Sequence, residues 1–118
     1  MTSRTRSDEA TAGRSNDPSL LILTSLAEGE KHGYALLQDI EQFAGTTLGP
    51  GTLYGAIARL QERDLIEAVG GSARRRPYRL TAAGAQELTD TLDHLRAITD
   101  EGNRRLGVRG AAIEGATA

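Results

Sequence analysis

The chain has 118 residues, enough for one domain with a small core and too few for a large enclosed active site. Its formal net charge is −2, from 14 basic and 16 acidic residues, so any affinity for nucleic acid must come from where the arginines sit. With no cysteine, a disulfide framework and a zinc–cysteine site are excluded; no apolar run approaches the roughly 20 residues a membrane span needs, and the N-terminus lacks a signal-peptide core. These features lead to the expectation of a cytoplasmic protein without membrane contact.

Residues 1–16 are Ser, Thr, Arg and Asp without apolar periodicity, and a disordered tail is expected there. Arg4, Arg6 and Arg14 could form an arm for a minor groove, but Asp8 and Glu9 interrupt the charge and favour a passive tail. Asp17-Pro18 is a helix start, the carboxylate capping free N–H groups and the proline occupying the first turn. Leu20, Leu21, Ile22, Leu23 and Leu26 wrap around more than one face of that helix, which in so small a protein suggests burial against a second subunit through Leu20 and Leu23.

A polar turn over Glu28 to Gly33 leads into a second helix from Tyr34 to Ala44, expected to bury Leu36, Leu37, Ile40 and Phe43. His32 has only the distant His94 as histidine company, so it is assigned to packing or capping the turn rather than to a metal or to catalysis. Gly45-Thr46-Thr47 links to a third helix, opened by Pro50, whose fixed φ suits the first helical position. At 100° per residue Leu53, Ala56, Ile57 and Leu60 form one stripe that must be buried. The opposite face carries Gly51, Gly55 and Ala58, flanked by Thr52, Tyr54 and Arg59. Each Gly costs roughly 1 kcal/mol relative to Ala in a helix interior, a cost explained if the face must lie flat in a DNA groove.

Leu65 to Val69 reads as a short strand, Gly70 to Ala73 as a turn, and Arg74 to Leu80 as the returning strand. Arg76, Tyr78 and Leu80 share one face of the return, and Arg75, Pro77 and Arg79 the other. Arg74, Arg75 and Arg76 beside a Gly-rich tip make a positive finger suited to phosphates. Thr81 is placed to cap a last helix, in which Leu88, Leu92, Leu95 and Ile98 recur at spacings of four and three residues, the pattern of a helix–helix seam with a second subunit or of packing back on the chain's own core. From Gly102 on, Gly and Ala dominate, so a flexible tail is expected over 102–118.

The run Gly51-Thr52-Leu53-Tyr54, then Arg59-Leu60, Leu65-Ile66 and Tyr78-Arg79-Leu80-Thr81-Ala82-Ala83-Gly84, with His32-Gly33-Tyr34 upstream, resembles the PadR family of winged-helix transcriptional regulators, in its short form with a single C-terminal dimerisation helix. The resemblance covers roughly Leu20 to Ile98. Two positions depart from it: Gly55 stands where the family usually has proline, and Asp64 where it usually has glycine, a site expected to need φ > 0, which Asp tolerates better than most residues.

The expected fold is mainly α with a small β-hairpin wing: a winged helix-turn-helix over 17–81 and a dimerisation helix over 82–101. The expected activity is that of a homodimeric, sequence-specific DNA-binding repressor on a pseudo-palindromic operator in double-stranded DNA. Pro50, Gly51, Thr52, Tyr54 and Arg59 would meet the groove and its phosphates, and Arg74, Arg75, Arg76 and Arg79 the backbone; Arg79 could instead face away. Leu20, Leu23, Leu88, Leu92, Leu95 and Ile98 would form the subunit seam. Resemblance implies that any releasing signal is a small aromatic or drug-like effector, the alternative being a ligand-free regulator controlled by its own abundance. No cofactor or metal is expected, and no nucleophile–base pair, metal cluster or phosphate loop marks an enzyme. The rival reading, a winged-helix module that binds protein without specific DNA binding, is disfavoured by the arginine run.

Overall fold

The computed structural model describes residues 17–70 and 76–117, with side chains through residue 109. The N-terminal tail and the hairpin tip, including Arg74 and Arg75, lie outside the described residues. Two compact units divide at Leu88.

In the first unit, helix α1 (Pro18–Leu26) starts as expected, with an Asp17 Oδ1 atom accepting the Ser19 N–H at 3.0 Å. The helix buries Leu21, Ile22, Leu23, Ser25 and Leu26 because it packs against α2 (Gly33–Ala44), α3 (Pro50–Glu62) and the returning strand. Several of its apolar faces thus meet neighbours within the chain. Leu23, expected at the subunit seam, is a core residue at 3% exposure, and Leu20 packs half-buried against the same core.

Helix α2 buries Leu36 and Ile40 and half-buries Leu37; Phe43, expected inside, is 46% exposed in the last turn. The helix ends at Gly45, whose φ of 66° closes it in the left-handed region with its N–H donating to the Glu41 carbonyl. Helix α3 then buries Leu53, Ala56, Ile57 and Leu60, the stripe its periodicity defines.

The chain leaves α3 through Asp64 at φ 60°, the positive value expected where the family has glycine. Strand β1 (Ile66–Ala68) pairs antiparallel with β2 (Tyr78–Leu80), Ile66 opposite Leu80 and Ala68 opposite Tyr78. The Val69 N–H donates to the Pro77 carbonyl at 2.8 Å and extends the pairing toward the tip. Thr81 caps helix α4 (Ala82–Thr117): its hydroxyl accepts the Gly84 N–H at 3.0 Å and donates to the Asp64 carbonyl at 2.7 Å. Gly84 has no room for a side chain, because a Cβ there would overlap the Leu65 carbonyl oxygen.

Helix α4 is longer than expected, running through Gly102 and Gly107 to Thr117 where a helix ending near residue 101 and a flexible tail were expected. Glu101 supports that continuation by accepting hydrogen bonds from Arg104 at 2.6 Å and Arg105 at 2.6 Å, pairs spaced for one helix face. Leu88, also expected at the seam, is buried in the first unit at 6% exposure. In the second unit Leu95 is half-buried, and Leu92, Ile98, Leu106 and Val108 are exposed.

Candidate nucleic-acid interface

The face of α3 opposite its buried stripe is small or polar. Pro50, Gly51, Thr52, Tyr54, Ala58 and Arg59 are exposed, Gly55 is half-buried, and the first acidic residue of the helix is Glu62, its last. Gly51 has open space where a Cβ would stand. At Gly55 that position lies 3.6 Å from a terminal nitrogen of Arg59, so the guanidinium folds back along the helix over the bare glycine.

Tyr54 is half exposed and half fixed. Its ring lies against Gly33, the first residue of α2, so closely that a Cβ at Gly33 would overlap the phenol oxygen and come within 2.8 Å of Cζ. The ring therefore pins the start of α3 to the start of α2 while 49% of Tyr54 remains open to solvent. The glycine of the His32-Gly33-Tyr34 run is needed for this contact. His32 occupies the N-cap position without a side-chain capping bond; its carbonyl accepts the Leu36 N–H at 3.0 Å.

Sequence reasoning missed how the wing is held. The turn before α2 pairs with β2: the Lys31 N–H donates to the Tyr78 carbonyl at 3.1 Å, and the Tyr78 N–H returns a bond to the Lys31 carbonyl at 2.9 Å. Lys31, the single lysine of the chain, turns its side chain inward, donating to the Ser25 carbonyl at 2.6 Å and pairing with Glu28 at 2.8 Å and Asp39 at 3.8 Å. The Ser25 hydroxyl donates to Asp39 at 2.6 Å, so this buried serine is satisfied. One residue thus ties α1, α2 and the wing stem together, with no periodic signal in the sequence to announce it.

On the outer face of the hairpin Arg79 donates through Nε to Glu67 at 2.7 Å and lies 3.9 Å from Glu30. The hydrogen bond and charge of Glu67 raise the Arg79 pKa, so the guanidinium stays protonated and engaged by acidic neighbours. Arg76 is exposed beside the paired strand end. The described geometry brings Thr52, Tyr54 and Arg59 onto one surface of α3 and keeps Arg79 on the hairpin stem. Among the described residues there is no cluster of His, Cys, Asp and Glu fit to hold a metal ion, and no helix long and apolar enough to cross a membrane.

A helix pair whose second member exposes a small, polar face, followed by a two-stranded wing, defines a winged helix-turn-helix protein. The chain belongs to the PadR-like family of transcriptional regulators, whose family model matches residues 22–90. It is 37% identical over 86 residues to the transcriptional regulator Rv3488 of Mycobacterium tuberculosis, a match covering 70% of this chain and 78% of that protein. It is 48% identical over 75 residues, 64% of its length, to an uncharacterized 37.1 kDa transposon protein of Streptomyces fradiae, of which the match spans 22%. Among solved structures it resembles a PadR family transcription regulator from Clostridium difficile, with a TM-score of 0.68, 26% identity, and coverage of 75% of this chain and 97% of that one.

Proposed function

We propose that the protein is a cytoplasmic homodimeric repressor that occupies a pseudo-palindromic operator with two copies of α3 in successive major grooves, about 34 Å apart. The observation that carries this reading is the outer face of α3, where two glycines and an alanine are retained at a cost in helix propensity and no acidic residue precedes Glu62. Pro50 and Gly51 let the backbone approach the duplex, Thr52 and Tyr54 meet base edges and flanking phosphates, and Arg59 holds a phosphate. The wing arginines Arg74, Arg75 and Arg76 grip the sugar–phosphate backbone, while Arg79, engaged by Glu67, braces the stem. Phosphate contacts set register and base contacts select sequence.

The subunits join through α4, where Leu92 and Ile98 are exposed and Leu95 half-exposed, with half-buried Leu20 at the margin. The family resemblance extends the proposal to release by a small aromatic or drug-like effector. Such a ligand acts only through differential affinity for the DNA-bound and free states. Hydroxyl-radical footprinting on the duplex upstream of the protein's own gene tests the dimeric reading. Two protected patches about one helical turn apart are expected; a single patch would contradict it.

A further inference from the structure

The turn between α1 and α2 meets both elements proposed to touch DNA. From Ala27 to His32 every residue is exposed except Lys31. The backbone of Lys31 pairs with Tyr78 in both directions, at 3.1 and 2.9 Å, so β2 lies between β1 and this turn. Glu30 adds a second clasp on the same strand, lying 3.9 Å from Arg79. Two residues beyond Lys31, Gly33 receives the ring of Tyr54 from α3. One short segment, Glu30 to Gly33, thus holds both the wing stem and α3.

The side chain of Lys31 fixes that segment to the helices. Its ammonium donates to the Ser25 carbonyl, in the last turn of α1, at 2.6 Å, and lies 2.8 Å from Glu28 and 3.8 Å from Asp39 of α2. The Ser25 hydroxyl donates to the same Asp39 oxygen at 2.6 Å, which fixes the acceptor. Only 13% of the Lys31 side chain is exposed, so salt screens this charge poorly, and its loss would leave Glu28 and Asp39 without the cation they share. The turn gives little other support: it bends through Gly29 at a φ of 150°, and no other side chain in it points inward. Arg76 is two residues from Tyr78, at most about 7 Å of chain, so a shift of this anchor passes directly to the base of the wing.

Resting on the DNA-binding reading above, we propose that Lys31 is a positioning residue for the wing: its ammonium, anchored to Ser25, Glu28 and Asp39, sets where the wing arginines meet the phosphates without touching DNA. Lys31 is itself withdrawn from phosphate, being mostly buried and shared by two carboxylates. Gly33 already lies within α2, whose first hydrogen bond runs from the Leu36 N–H to the His32 carbonyl, so α3 keeps its place when the turn loosens. Loss of the ammonium should therefore act through the wing alone and weaken every duplex alike, because phosphate contacts carry no sequence information.

Lys31→Met removes the ammonium at similar side-chain length. With folding checked by circular dichroism, affinity for the duplex upstream of the gene should fall about 2- to 30-fold, and log affinity should depend less steeply on log salt. In a chain whose Arg74, Arg75 and Arg76 are already Ala, the same substitution should weaken binding far less. The missing charge acts at long range in both backgrounds, so the difference between them reads the coupling of Lys31 to the wing. Equal losses in the two backgrounds, or no loss in the first, would overturn the positioning role and leave the DNA-binding reading standing. A changed preference between native and scrambled duplexes would move the effect to α3 and overturn it too. Asp39→Asn, which keeps an oxygen for the Ser25 hydroxyl, carries the same comparison with a smaller loss if Lys31→Met does not fold. A wild-type chain that binds no duplex would remove the DNA-binding reading and this proposal with it.

Discussion

Gly33→Ala separates the role of Tyr54 in folding from its proposed role on DNA. Replacing Gly by Ala within a helix gains up to about 1 kcal/mol. Against this, the new Cβ would overlap the phenol oxygen of Tyr54 and lie 2.8 Å from Cζ and 3.3 Å from Cε1, which forces the ring away. Because Tyr54 is 49% exposed, the ring can swing into solvent without parting the helices. The loss is then confined to its buried half, roughly 100 Å² at about 25 cal/mol/Å², or about 2.5 kcal/mol as an upper bound. The net destabilisation is about 1 kcal/mol, which lowers Tm by roughly 4–8 °C in a domain of this size. If Tyr54 meets bases as proposed, affinity for the cognate duplex should fall further, by about 1–3 kcal/mol, roughly 5- to 150-fold in Kd. Thermal unfolding by circular dichroism and duplex binding well below Tm measure the two terms. In a Tyr54→Ala background the added Cβ meets no ring, so both penalties should vanish in the double-mutant cycle. Additive effects, or unchanged affinity in the single variant, would refute the reasoning.

Gly84→Ala should behave differently, because the overlapping atom is the backbone carbonyl oxygen of Leu65, which already accepts the Thr81 N–H at 3.1 Å and cannot swing away. A destabilisation of about 1–3 kcal/mol is expected by urea denaturation, and a rise in stability would show that helix propensity outweighs the clash. Asp64→Gly removes the cost of φ 60° and should raise or preserve stability, by up to about 1 kcal/mol, whereas Asp64→Val should lower it. Arg104 first, then Arg105, lowers the pKa of Glu101 below its ordinary 4.5. A depressed folded-state pKa gives stability that is present above 4.5 and is lost as pH falls through the folded value, so helicity around residue 101 should decline in acid. Glu101→Gln should abolish that decline.

Much of the winged helix-turn-helix was legible because its signals are local. Pro50 and the Leu53, Ala56, Ile57, Leu60 stripe define α3 within a few turns of chain, and Asp17 and Thr81 cap as their chemistry suggests; the left-handed conformation of Asp64 was implied by the family's usual glycine at that place. What escaped depends on contacts distant in sequence. Nothing near Lys31 indicates that its backbone pairs with Tyr78 or that its ammonium reaches Ser25 and Asp39. The sequence shows the surplus apolar character of α1 but not which of its faces meet α2, α3 and β2 within the chain. The glycines at 102 and 107 suggested an end to α4, but the pairs of Glu101 with Arg104 and Arg105 accompany a helix that runs on to Thr117.

The central claim is that the outer face of α3 reads sequence while the wing arginines hold phosphates. Its most direct test is fluorescence anisotropy of wild type and of Arg74→Ala, Arg75→Ala, Arg76→Ala combined, on a labelled duplex from the gene's own upstream region and on a scrambled duplex, across several salt concentrations. The account predicts that wild type prefers the native duplex and that log affinity falls linearly with log salt. The triple variant should bind both duplexes more weakly, with a slope shallower by about 0.9 for each phosphate that is no longer neutralised. Equal wild-type affinity for both duplexes, or a variant with unchanged affinity and slope, would contradict it.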